Sequence, residues 1–198
     1  IFIIPITFYL SHGFNRKTTI AILGTLITLV ITGIIAKIFA DVGNLTGLAS
    51  EEASYLKLET REKLDFSSLF LAGMIITMLG ILDDVTISQS SIVQQLKALK
   101  NKIHFSELFA RAMKIGRDHI ASLVNTLILV YAGASLPILL LFLDHSESLI
   151  GIVNLEFMAQ EIIQTLVGSI GLILAIPVTT LIAVFMVKAE AETQIHHH

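Results

Sequence analysis

The chain has 198 residues, of which 54% are apolar and only 15% charged, with no cysteine and a formal net charge of -3. A soluble domain carries about a quarter charged residues, so this sequence has too little polar surface for a water-exposed fold and is read as a membrane protein. The slightly acidic balance offers no basic surface for nucleic acid, and the missing cysteines remove disulfides, thiolate catalysis and cysteine-built metal sites.

A lipid-spanning helix takes about 20 predominantly apolar residues. Residues 1–10, IFIIPITFYL, read as the tail of a span, and complete spans are expected at 18–40, about 66–96, about 117–143 and 160–187. Strand-like alternation is nowhere sustained, which excludes a barrel. The expected fold class is an all-α polytopic transmembrane helical bundle of about five spans, the first truncated, forming one domain over 1–195. The chain opens at Ile1 inside an apolar run and closes on His196, His197 and His198. That pattern reads as an excised segment with the remnant of a purification tag.

Basic residues orient the spans. Arg16 and Lys17 lie in the connection 11–17, and Lys97, Lys100, Lys102, Arg111, Lys114 and Arg117 in the one around 97–117, so both are expected in the cytoplasm. The connections 41–65 and 144–159 hold nine acids, among them Asp41, Asp65, Asp144, Glu147 and Glu156, against Lys57, Arg61 and Lys63, and face outward. Lys188 then puts the C-terminus in the cytoplasm. Residues 48–65 accommodate a short surface helix. Residues 105–116, with Ser106 as N-cap and Leu108, Phe109, Ala112 and Met113 on one face, read as an interfacial amphipathic helix.

Apolar helices gain nothing hydrophobic from touching in lipid, so small and weakly polar residues mark the faces that meet protein. Such stripes are Ala21, Thr25, Thr28, Thr32 and Ala36; Gly73, Thr77, Gly80, Asp84, Ser88, Ser91 and Gln95; Asp118, Ser122, Asn125 and Ala132; and Glu161, Gln164, Gly168, Gly171, Ala175 and Thr179. Gly73, Gly80, Gly168 and Gly171 are the expected helix-packing positions. In the third span the opposite side, Ile75, Met78, Leu82, Val85, Ile92 and Leu96, is expected to face lipid.

Between Asp65 and Lys97 the only charges are Asp83 and Asp84, close to the midpoint of that window. A charged residue at the centre of a spanning helix costs about 3 kcal/mol even on the lenient insertion scale, and such residues serve ion paths and proton relays. Adjacent carboxylates also disfavour each other's ionisation. Asp83 and Asp84 are therefore the candidate proton- or cation-responsive site, with Asn125 as a hydrogen-bonding partner and Ser88, Arg117, Asp118 and Gln164 in support. The plain alternative ends the apolar core at Leu82 and leaves Asp83 capping a cytoplasmic helix; an ion pair with Arg117 or Lys114 is compatible with either. His12, His104, His119 and His145 fall on both sides of the membrane, so no metal site is expected. No HExxH or phosphate-loop pattern occurs, and the aspartates are neighbours rather than partners across two helices. Neither catalytic residues nor a cofactor is expected.

The stretch from Leu71 to Leu143 carries AGMIITMLGILDDVTISQSSIVQQL and FSELFARAMKIGRDHIASLVNTLILVYAGASLPILLLF. With IGRD at 115–118, NTLILVYAG at 125–133 and GLILAIPVT at 171–179, it resembles the YibE/F-like family of multispanning bacterial membrane proteins. The resemblance implies a multi-pass protein of the bacterial cytoplasmic membrane and no particular function. More distantly, Gly80 with Asp84 and Gly168 with Gly171 are similar to positions in one half of the resistance-nodulation-division permeases and the export components SecD and SecF. That similarity implies proton coupling at the mid-membrane acid. The expected protein is thus a permease-like subunit in the lipid bilayer. The alternative is a non-transporting assembly or scaffold subunit, a homo-oligomer or the partner of a paralogous membrane protein.

Overall fold

The computed structural model describes residues 3–60, 64–100, 103–143 and 149–195. His196–His198 and the charged residues Arg61, Glu62, Lys63, Lys102, Asp144 and Glu147 lie outside the described residues. Among those described there are seven helices and no strand: α1 Ile3–His12, α2 Arg16–Val42, α3 Glu51–Thr60, α4 Phe66–Leu99, α5 Phe105–Leu143, α6 Leu149–Val153 and α7 Glu156–Ile195. The fold is all-α, and α2, α4, α5 and α7 are each long and apolar enough to cross a membrane. The region expected as a partial span is the ten-residue α1, which is not one of these four.

The expected interfacial helix is not a separate element. α5 runs unbroken for 39 residues from Phe105 through Leu143, and its first turn forms on His104, whose carbonyl accepts the Leu108 amide at 2.9 Å. Ser106 therefore lies inside the helix. Nothing between 105 and 117 breaks it, because Gly116 is accommodated by packing instead of ending a turn. The expected apolar face is nevertheless the one used: Leu108 and Ala112 are buried, and Phe109 packs against them.

Helix ends follow local chemistry. Gly13, at φ 76°, closes α1 with its amide on the Tyr9 carbonyl at 2.9 Å. Asn15 then starts α2: its Oδ1 accepts the Thr18 amide at 2.9 Å while its Nδ2 donates to the His12 carbonyl at 2.7 Å. Asp65 caps α4 in the same way through the Ser67 amide and the Ser68 hydroxyl. The Ser68 hydroxyl, followed by backbone donors at Ser68 and Ser67, holds the exposed Asp65 carboxyl below its usual range.

The residues sort into two compact units, each drawn from several helices. The first comprises Ile1–Ile31, Leu79–Leu123 and Gly171–His198. In it Ile4 and Phe8 of α1 are buried against Ala21 and Ile22 of α2 and Ile87 of α4. A second cluster joins Ile20, Val93, Leu108, Ala112, Ala183 and Val184. The other unit comprises Thr32–Met78 and Val124–Ile170. There Gly168 lets α7 approach Leu127 of α5, a Cβ at that position falling 2.9 Å from the leucine. Glu156 at the start of α7 gathers the preceding loop, accepting the Thr46 amide at 2.6 Å, the Thr46 hydroxyl at 2.8 Å and the Gly47 amide at 3.0 Å. Gly47 adopts φ 78°, and a Cβ there would collide with the Phe66 carbonyl.

The packed side of α4 is the reverse of the one expected. Met74, Met78, Leu82, Val85, Thr86, Gln89 and Val93 are buried, whereas Gly73, Thr77, Gly80, Asp84 and Gln95 are exposed. A Cβ added at Gly73 or Gly80 would meet nothing within 4 Å. Both sides of α4 carry small and polar residues, and the buried side binds its neighbours through Thr86, Gln89 and Ser90.

Candidate functional site

The site lies in the first unit, where the end of α1 meets the middle of α4. Asp83 is half-buried and stands 17 residues after Phe66, about 26 Å along the helix axis. Its Oδ1 is buried and makes no hydrogen bond. The imidazole of His12 stands beside it, with Nε2 3.8 Å from that oxygen and both side chains retaining 32% of their accessibility. Two local features bring His12 there. The Gly13–Asn15 turn ends α1 immediately after it, and its ring packs edgewise on Phe8 at 6.3 Å, which anchors α1 in the core. The basic side chain beside Asp83 is thus His12 rather than Arg117 or Lys114, which are both exposed.

Below Asp83 the helices are tied by uncharged polar groups. The Thr86 hydroxyl donates to the Asp83 carbonyl at 3.2 Å and lies 2.8 Å from the Thr25 hydroxyl of α2. The Ser90 hydroxyl donates to the Lys17 carbonyl at 2.9 Å. Gln89, only 1% exposed, gives its amide to the Ala112 carbonyl of α5 at 3.1 Å and the Thr180 hydroxyl of α7 at 2.7 Å. A Cβ on Gly116 would sit 2.7 Å from the Gln89 Oε1 and 2.6 Å from Ile176, so that glycine is what lets α5 reach the amide.

The other expected residues are dispersed. Asp84 is exposed on the far side of α4 from Leu82 and Val85, while Ser88 is half-buried. Arg117 and Asp118 are exposed on α5. Asn125 and Gln164 belong to the second unit; Asn125 is exposed, and Gln164 is half-buried and hydrogen-bonded to the Tyr131 hydroxyl. Gly171 is buried.

Sequence reasoning did not assign roles to His12, Thr86, Gln89 or Thr180. The HGFN run at 12–15 was the available signal for His12, because a glycine and an Asn cap in succession turn the chain back beside the helix just left. For Gln89 the signal was its spacing from Leu82, Val85, Thr86 and Val93, which places it on one face with them.

Residues 1–189 match the family described as YibE/F-like protein. No curated protein and no solved structure matches the chain.

Proposed function

We propose that this chain, which belongs to the YibE/F-like family and is a multi-pass integral membrane protein, is a permease-like subunit of the bacterial cytoplasmic membrane in which Asp83, paired with His12, is the proton- or cation-responsive group. One observation carries this reading: a half-buried carboxylate midway along a spanning helix, with an unbonded buried oxygen and an imidazole 3.8 Å away. Histidine is the side chain whose charge ordinarily changes between about pH 5 and 8, so an imidazole–carboxylate pair can exchange a proton with its surroundings.

The depth of Asp83 supports the proposal. Lys17 opens α2 and is expected at the cytoplasmic headgroups. The Ser90–Lys17 bond and seven residues of α4 carry Asp83 about 10 Å beyond that level. The route through eight residues of α2, the Thr25–Thr86 bond and three residues of α4 gives about 16 Å. Both values fall inside a hydrocarbon layer of about 30 Å. With the basic connections inside, the C-terminus is cytoplasmic, and no catalytic residue or cofactor enters this reading.

The test exploits the absence of native cysteine. Gln94→Cys, on the cytoplasmic part of α4, is labelled with a thiol reagent in proteoliposomes across pH 5–8, the labelling rate being expressed relative to that of a free thiol at the same pH because only the thiolate reacts. The labelling rate should vary with pH in the otherwise native chain and lose that variation in Asp83→Asn and in His12→Gln, but retain it in Asp84→Asn. A rate insensitive to pH, or a response surviving in Asp83→Asn, would overturn the proposal.

A second reading, assembly with another membrane subunit, is favoured by the exposed Asp84 and the open space at Gly80. A carboxylate facing lipid is costly, and a protein partner would cover it. On that reading Gly80→Leu abolishes complex formation in mild detergent.

A further inference from the structure

We infer that the second unit holds a binding site for a lipophilic monovalent organic cation, in the cavity between α5 and α7. The cavity has a volume of about 280 Å³ and is walled by Ile128, Tyr131 and Ala132 of α5 and Met158, Glu161 and Ile162 of α7, among others. Nearly everything it presents is hydrocarbon or aromatic. Glu161 is the one carboxylate among the lining residues, and its Oε2 is buried and has no hydrogen-bond partner.

The three hydroxyls in the wall are already engaged, that of Tyr131 with Gln164. Ser135 donates to the Tyr131 carbonyl at 3.0 Å, and Thr165 donates to the Glu161 carbonyl at 2.8 Å. One carboxylate in an apolar cavity is too poor a ligand set for a bare divalent ion, which takes about six oxygens or more. A neutral hydrocarbon would fill the volume and leave the buried oxygen unmatched, at the penalty such a group carries away from water. An organic cation with apolar substituents meets both demands. Its substituents occupy the wall, its charge offsets Glu161, and the ring of Tyr131 adds a cation–π face. Ile128, Ile162 and Leu166 of the wall are themselves partly exposed, so a ligand dissolved in the bilayer reaches the site from the side. The inference goes beyond the proposed function and does not depend on Asp83, because it concerns equilibrium binding without a gradient.

The test is equilibrium dialysis of radiolabelled methyltriphenylphosphonium against the full chain in lipid nanodiscs, with protein-free nanodiscs subtracted. Saturable binding at one site per chain is expected. Glu161→Gln should weaken it at least tenfold, and Ala132→Leu, which narrows the cavity and keeps the charge, should weaken it as well. The neutral isostere 1,1,1-triphenylethane should compete at least tenfold less well on the native chain, a comparison that needs no variant to fold. Equal competition by the hydrocarbon, unchanged affinity in Glu161→Gln, or no saturable binding would each overturn the inference.

Discussion

Replacing Gly116 by alanine tests whether the face of α4 carrying Gln89, and not the one carrying Gly80, holds the first unit together. The new methyl would lie 2.6 Å from the Ile176 Cγ2 and 2.7 Å from the Gln89 Oε1. Neither neighbour yields cheaply. Ile176 is 1% exposed and branched at Cβ, and Gln89 is pinned by its bonds to Ala112 and Thr180. Overpacking a filled core costs about 1–3 kcal/mol, and an interhelical hydrogen bond in a bilayer contributes about 0.6 kcal/mol. Against this, alanine gains up to about 1 kcal/mol over glycine in helix propensity. The expected net loss is about 2 kcal/mol, near a thirtyfold change in the unfolding equilibrium. Gly80→Ala and Gly73→Ala meet open space and keep only the propensity gain, so they should be neutral or slightly stabilising. Unfolding in detergent micelles titrated with dodecyl sulphate and followed by far-ultraviolet circular dichroism measures all three. Gly116→Ala combined with Gln89→Ala should destabilise less than the sum of the single changes, because the collision with Oε1 disappears. A Gly116→Ala protein as stable as the native one, or a Gly80→Ala protein that unfolds more easily, would refute the assignment of faces.

Three further outcomes are expected. In a double-mutant cycle, Thr25→Val and Thr86→Val should show a coupling of about 0.6–1.7 kcal/mol from their 2.8 Å hydroxyl contact, measured by the same unfolding titration. Glu156→Ala should cost about 1–2 kcal/mol by releasing the Thr46 and Gly47 amides, and should raise amide hydrogen exchange there without affecting the α1–α2 turn. The Asp65 carboxyl is held below its ordinary value of 3.8 chiefly by Ser68, so its stabilisation is complete above that pH and fades as pH falls through the depressed value. Asp65→Ala should therefore flatten the acid limb of the stability profile and leave the neutral-to-alkaline part unchanged in shape.

Much of the architecture was legible from composition. Runs such as 18–40 and 160–187 exceed the length needed to span hydrocarbon, and within lipid a chain must satisfy its backbone as helix, so element type and approximate bounds follow directly. The buried Leu108–Ala112 face of α5 was an equally local matter. The depth of Asp83 and Asp84 was arguable from the uncharged window around them.

Which side of each helix meets protein was decided only by tertiary structure. In water an apolar stripe points to the core, but in a bilayer both sides of α4 are compatible with their surroundings, and Gly80–Asp84 and Thr86–Gln89 present similar polar signals about half a turn apart. Only the approach of α5 at Gly116 and of α7 at Thr180 selects Gln89 for burial. The return of α1 beside α4 gives Asp83 an imidazole neighbour that lies 71 residues earlier in the chain, a relation no helical period encodes. The cavity at Glu161 has the same origin: its walls come from two helices whose spacing is set by Gly168 against Leu127, a packing distance and not a sequence pattern.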